Sequence, residues 1–178
     1  DGDEDMDVLI TGNSPSLGPV AKLYINDGKG NYSEGKETPF IGVSASSIAF
    51  EDIDGDEDMD VLITGNSSSL GPVAKLYIND GKGNYSEVLG TSFIGVFASS
   101  IAFADIDGDE DMDLLITGDS ASSPSHMRFT GVSKLYINDG VGGFSEKLET
   151  SISAVTSSSI AFADIDGDGD MDVLITGS

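Results

Sequence analysis

The 178 residues carry 32 acidic side chains against 8 basic ones, a formal charge of −24, with no cysteine and no tryptophan. So acidic a surface repels nucleic acid and anionic membranes, and neither is an expected partner. No stretch has the apolar length of a spanning helix, so membrane insertion is not expected, and without cysteine there is no disulfide staple.

The chain opens on an acidic string, Asp1-Gly-Asp-Glu-Asp-Met-Asp7, which returns at residues 54–60, 107–113 and 166–172. Of the 32 acids, 23 lie in the four short segments 1–7, 51–60, 105–113 and 164–172. The charge is therefore local, unlike a charge spread for solubility. The last three strings are preceded by Asp-Ile, which puts Asp52, Asp105 and Asp164 at their heads. Ser-Ser-Ile-Ala-Phe leads into the string and Val-Leu-Ile-Thr or Leu-Leu-Ile-Thr leaves it, so the acids form the loop of a β-hairpin. A third run, Lys-Leu-Tyr-Ile, ends at Asn26-Asp27-Gly28, Asn79-Asp80-Gly81 and Asn138-Asp139-Gly140, a hairpin signal. A fourth, Asn-Tyr-Ser-Glu or Gly-Phe-Ser-Glu, follows it. No long 3.6-residue periodicity occurs, and the expectation is an all-β chain almost without helix.

The unit is repeated. Equivalent residues Asp1, Asp54, Asp107 and Asp166 are spaced by 53, 53 and 59, and residues 1–34 differ from 54–87 only at Pro15 against Ser68. The repeats read as 1–53, 54–106, 107–165 and the start of a fourth at 166–178. The first begins inside its acidic loop, as expected of a mature piece of something longer.

Two carboxylates about 4 Å apart repel by roughly 4 kcal/mol at an effective dielectric near 20. A loop that gathers several needs a cation, and six to eight hard oxygen ligands on a flexible loop suit Ca²⁺ better than Mg²⁺. Loop positions 1, 3 and 5 would give side-chain oxygens (Asp52, Asp54, Asp56; Asp105, Asp107, Asp109; Asp164, Asp166, Asp168). Position 7 would offer a backbone carbonyl (Asp58, Asp111, Asp170), and position 9 would close the site (Asp60, Asp113, Asp172). The first loop retains Asp1, Asp3, Asp5 and Asp7 but lacks positions 1 and 2. The sharp turn usually wants glycine at position 6, where Glu57 and Glu110 stand. Gly55, Gly108 and Gly167 at position 4 are the expected carriers of the unusual backbone angle.

The third repeat holds six extra residues between Gly118 and Lys134. Its insertion gathers the sole histidine and arginine, and His126, Met127, Arg128 and Phe129 form a candidate contact site, since Arg, Met and aromatics are enriched at interfaces. Three sequons at expected turns, Asn31, Asn66 and Asn84, are candidate glycosylation sites. With one histidine, no cysteine and its carboxylates committed to metal, the chain offers no evident catalytic group, and an enzyme is not expected.

The string Ile-Ala-Phe-Ala-Asp-Ile-Asp-Gly-Asp-Gly-Asp-Met-Asp-Val-Leu-Ile-Thr-Gly, followed by Lys-Leu-Tyr-Ile-Asn-Asp-Gly and Gly-Phe-Ser, resembles the FG-GAP/VCBS repeat of integrin α-subunit heads. The resemblance spans essentially the whole chain. It implies that each repeat is a four-stranded antiparallel blade of a β-propeller, with calcium in its first hairpin. Propellers close with about four to eight blades, so three periods and a remnant imply a slice of a larger ring, copies completing one another, or an open stack. The functional expectation is a secreted or surface-displayed, calcium-stabilised structural or adhesive protein that builds a filament or layer. Its partners would be copies of itself or adjacent repeats, or else glycans or surface proteins. The rival is a propeller head that binds glycan or protein through loops on one face.

Overall fold

The structure, a computed structural model, describes residues 3, 5–35, 38–121 and 129–178, with the backbone alone at 129. Strands β1 (Val8–Ser14), β2 (Gly18–Asn26) and β3 (Tyr32–Glu34) form a first sheet in that order. The second sheet is β4 (Ser44–Glu51), β5 (Asp60–Ser67), β6 (Gly71–Asn79) and β7 (Tyr85–Glu87). The third is β8 (Phe97–Ala104), β9 (Asp113–Ala121), β10 (Phe129–Asn138) and β11 (Phe144–Glu146). A last hairpin pairs β12 (Ser159–Ala163) with β13 (Asp172–Thr176). Every pairing is antiparallel between consecutive strands, and no helix occurs among the described residues. The all-β reading with four-stranded antiparallel sheets holds. The last three acidic strings fall within the first hairpin of a sheet, so the second and third sheets and the last hairpin take their first strand from the end of the preceding repeat.

The run Val61-Leu62-Ile63 shows why β5 forms. Successive strand side chains point to opposite faces, and all three of these are fully buried. Val61 and Ile63 pack with Val73 and Tyr77 against Leu23, Phe40 and Val43, between the first and second sheets. Leu62 turns the other way, joining Ala74 and Leu76 against Ile101, Leu114, Ile116 and Tyr136 of the third sheet. A sheet buried on both faces has no polar side, hence the continuous apolar run. Full burial of each such side chain contributes about 1.5–3 kcal/mol.

The junctions between sheets repeat the same bonds. The fully buried Tyr77 accepts the Ile41 N–H on its hydroxyl (3.0 Å), and Tyr136 accepts that of Ile94 (2.9 Å). Phe40 and Phe93 stand edge-on to these rings, both at 5.1 Å. A hydroxyl pair links β1, β5 and β9 in turn to the first strand of the next sheet or the residue before it: Thr11 to Ser46 (2.8 Å), Thr64 to Ser99 (2.8 Å) and Thr117 to Ser158 (2.6 Å). Strands β4 and β8 open with a bulge in which Ala45 and Ala98 take φ of +46° and +45°. Gly65 lies opposite the first bulge, where a Cβ would come within 2.9 Å of the Val43 and Ser46 Cβ atoms. The glycine that ends the run serves close approach at Gly65, Gly118 and Gly177, whereas Gly12 of the first sheet has open space around it.

The outermost faces differ. Val8 and Ile10 of the first sheet are 37% and 51% exposed and Leu174 of the last hairpin 60%, whereas Val61, Ile63 and Leu62 at equivalent places are 0% exposed. The β9–β10 hairpin extends past its counterpart in the second sheet, pairing Phe129 with Ala121. His126, Met127 and Arg128 lie outside the described residues, as does the side chain of Phe129.

Candidate metal centres

The acidic loops at 52–60, 105–113 and 164–172 are each strung between the first two strands of a sheet, and their shape is set by carboxylates that bind backbone. Asp52, one residue after β4, accepts the N–H groups of Gly55 (2.9 Å) and Asp56 (3.2 Å) on Oδ1 and that of Glu57 (2.9 Å) on Oδ2. Asp105 does the same for Gly108, Asp109 and Glu110, and Asp164 for Gly167, Asp168 and Gly169. Three donors turned towards one carboxylate coil the loop. The coil needs left-handed backbone at two places. Position 4 has it as expected (φ +78°, +81° and +80° at Gly55, Gly108 and Gly167), but position 6 has it as well. Glu57 and Glu110 sit at +70° and +74°, where the last loop has Gly169 at +95°. Position-4 glycine does not relieve position 6, and two glutamates hold a conformation that favours glycine.

The loops bring together positions 1, 3 and 9. Carboxylate oxygens of Asp52, Asp54 and Asp60 lie within 4.8 Å of one another, as do those of Asp105, Asp107 and Asp113, and of Asp164, Asp166 and Asp172. Position 5 is turned to the backbone: Asp56, Asp109 and Asp168 accept the N–H of the residue two places on, Asp58, Asp111 and Asp170, each at 3.0 Å. The position-7 side chains Asp58 and Asp111 lie against the Asn-Asp-Gly turn of their own sheet, where a Cβ on Gly81 or Gly140 would collide with the carboxylate. In the first loop Asp3 accepts the Asp5 N–H (3.1 Å), Asp5 lies against Gly28, and Asp7 accepts the Asn26 N–H (2.8 Å). Asp1 lies outside the described residues.

In the second and third sheets position 9 is the buried member. Asp60 is fully buried; its Oδ2 accepts the Ile53 N–H (3.1 Å) and its Oδ1 the Asn79 N–H (2.8 Å). Burial pushes its carboxyl up to about 6, with the charges of Asp54 and Asp56 adding to the rise and the two N–H donors opposing it. Asp113 is raised for the same reason, with Asn138 and Ile106 as donors. Asp54 is raised by burial and then by the charges of Asp56 and Asp52. Its Oδ1 is buried without a hydrogen-bond partner. A buried carboxylate oxygen left unpaired among two other carboxylates is a strongly unfavourable arrangement for the protein alone. A cation among the three removes both the repulsion and the orphan. The donor set is all hard oxygen, so it fits Ca²⁺ and offers nothing to a soft metal.

The Asn-Asp-Gly turn, read from sequence only as a hairpin signal, is part of this machinery. It connects β6 to β7 through residues 80–84, and its asparagine N–H holds the closing aspartate. Its recurrence at a fixed distance from the acidic string was the available signal. The sequons fall differently. The Asn31 and Asn84 amides donate to Asp27 (2.8 Å) and Asp80 (2.9 Å), while Asn66 lies within β5 and not at a turn, its backbone paired across to Pro72.

A search of curated proteins returned no match. A family model described as FG-GAP-like repeat matches residues 1–63, 52–116 and 121–175, and its first two matches overlap on the acidic loop at 52–63. Three matches that together cover nearly all the residues, over sheets that repeat loop, turn and junction alike, make the chain a member of the FG-GAP-like repeat family.

Proposed function

We propose that this chain is a calcium-stabilised, non-catalytic segment of an extracellular structural or adhesive protein, whose propeller-type blades contact copies of themselves or adjacent repeats to build a surface filament or layer. The observation that carries the calcium reading is the buried, unpartnered Oδ1 of Asp54 beside the oxygens of Asp52 and Asp60; the clustering of three carboxylates, without the orphan, recurs at Asp105, Asp107 and Asp113 and at Asp164, Asp166 and Asp172. These residues would hold the ion, which when bound supplies positive charge and oxygen coordination and no reaction. The chain's own part is to present the oxygens on a coiled loop and close the hairpin behind them. Extracellular calcium is millimolar, enough for weak sites, and repeats of this family are typical of extracellular or surface proteins. The exposed side chains Val8, Ile10 and Leu174 match positions that are fully buried where sheets stack, which supports contact with a further repeat of the same kind.

Calcium bound to the folded loop alone stabilises by about 2.7 kcal/mol per site at a hundredfold excess over Kd. Chelation should therefore lower the melting temperature sharply, Mg²⁺ should restore it poorly, and Asp107→Ala should abolish the third-sheet site first in calorimetric titration. Identical melting with and without chelator would end the calcium reading.

A further inference from the structure

The three carboxylate clusters have the same local geometry and different surroundings. Over the second sheet's loop lies the turn at residues 138–142 of the third sheet. A Cβ on Gly142 would stand 3.7 Å from the Asp54 Cβ, and one on Gly55 would stand 3.8 Å from the Gly140 carbonyl oxygen. Asn138 is buried and joins the two sheets: its amide donates to the Ile53 carbonyl (3.0 Å), while its own N–H donates to Asp113 Oδ1 (2.9 Å). Ile53 in turn donates its N–H to Asp60 Oδ2 (3.1 Å). Three hydrogen bonds thus run from the closing carboxylate of one loop to that of its neighbour. The residue equivalent to Asn138 one sheet earlier, Asn79, is only half-buried, and its amide donates to the Met59 carbonyl of its own sheet (3.3 Å).

The covered loop is the one with the buried orphan oxygen. Ile53 is buried and Asp54 half-buried, whereas Ile106 is half-buried and Asp107 exposed in the third sheet's loop. In the last loop Asp164, Asp166 and Asp172 are all exposed. Cover by the neighbouring turn excludes water, strengthens attraction to a cation and fixes Ile53 between two carboxylate neighbours. Groups outside a metal's ligand set that hold the ligands in place typically change metal affinity 10- to 100-fold.

We propose that Asn138 is a positioning residue for the cation site of the neighbouring sheet, so that a site is completed by the turn of the next repeat and, within these 178 residues, the covered Asp52, Asp54 and Asp60 site is the tightest of the three. The inference rests on the calcium reading above and deepens it. Stacking one sheet on the next then does more than bury apolar surface: it makes the preceding loop a better site.

The test is a titration with calcium alone, resolved by site through the backbone amide signals of Gly55, Gly108 and Gly167. In the unaltered chain the Gly55 signal should saturate first and the Gly167 signal last. Asn138→Ala and the isosteric Asn138→Asp, which cannot donate, should weaken the Gly55 site 10- to 100-fold. The Gly108 site should shift less than about threefold, because the Asn138 backbone N–H to Asp113 survives both changes. Equal loss at the two sites would mark a merely structural role and overturn the proposal. So would an unchanged Gly55 site while calcium still binds, which leaves the calcium reading standing. If neither variant folds, the order of saturation in the unaltered chain decides, and equal affinity at Gly55 and Gly108 rejects the inference. No response of any signal at millimolar calcium would instead remove the calcium reading itself.

Discussion

Glu57 and Glu110 occupy a left-handed backbone at φ +70° and +74°, which the fourth copy of the same loop fills with Gly169. A non-glycine residue held there costs of order 1–3 kcal/mol. Glycine escapes that strain and gives back about 0.5–1 kcal/mol through its greater freedom in the unfolded chain. Glu57→Gly and Glu110→Gly should each stabilise by about 0.5–1.5 kcal/mol, and the two sites lie in different sheets, so the gains should add. For a chain of this size 1 kcal/mol moves the melting temperature by about 2–4 °C, and the double variant should melt about 2–12 °C higher in saturating calcium. Removing a charge from an acidic loop would also stabilise, so Glu57→Gln is the control. It loses the charge but keeps its Cβ in the left-handed region and should gain less than half as much. Thermal unfolding followed by circular dichroism reads all four variants. A double variant melting no higher than the parent would refute the strain argument, and equal gains from Gln and Gly would assign the effect to charge.

In calcium-free protein the folded Asp60 carboxyl at about 6, against an ordinary value of 3.8, binds its proton more tightly than the unfolded chain does. That contribution is complete below about pH 4 and is lost as pH rises through 6, with Asp113 and Asp54 acting in the same sense. Chelated protein should therefore melt higher at pH 5 than at pH 7.5, and calcium-loaded protein in the reverse order because protons compete with the ion; a chelated midpoint that rises from pH 5 to 7.5 contradicts this. Asp27 and Asp80, held low first by the side-chain amides of Asn31 and Asn84, lose their contribution as pH falls below about 4, so the chelated protein should weaken again there. Leu62→Ala in the second sheet should cost about 2–5 kcal/mol in urea unfolding, whereas Leu174→Ala at the equivalent, exposed place should cost under about 0.5 kcal/mol. Comparable costs would mean that stacking of sheets does not provide the core.

Features set by local chemistry were legible in the sequence. Alternation and β-branched runs between turn residues specify strands and hairpins, and the 53-residue period specifies that one unit is built again and again. Carboxylates bracketed by Ile-Ala-Phe and Val-Leu-Ile mark the loop that gathers them. Which carboxylates converge was less legible, because alternate spacing treats positions 1, 3, 5 and 9 alike. Only the coiled loop shows that Asp56 turns to backbone while Asp60, anchored by Ile53 and Asn79 N–H groups, faces Asp52 and Asp54. The left-handed glutamates escaped for a similar reason: backbone angle follows from three N–H groups seeking one aspartate, not from residue type. Identical segments take unlike roles once sheets stack. Ile10 and Ile63 share their sequence surroundings, yet one is half exposed and the other fully buried, and Asn138 crosses to a neighbouring loop where Asn79 stays in its own sheet. Burial and inter-sheet bonds depend on what lies on the next layer, and no local pattern carries that information.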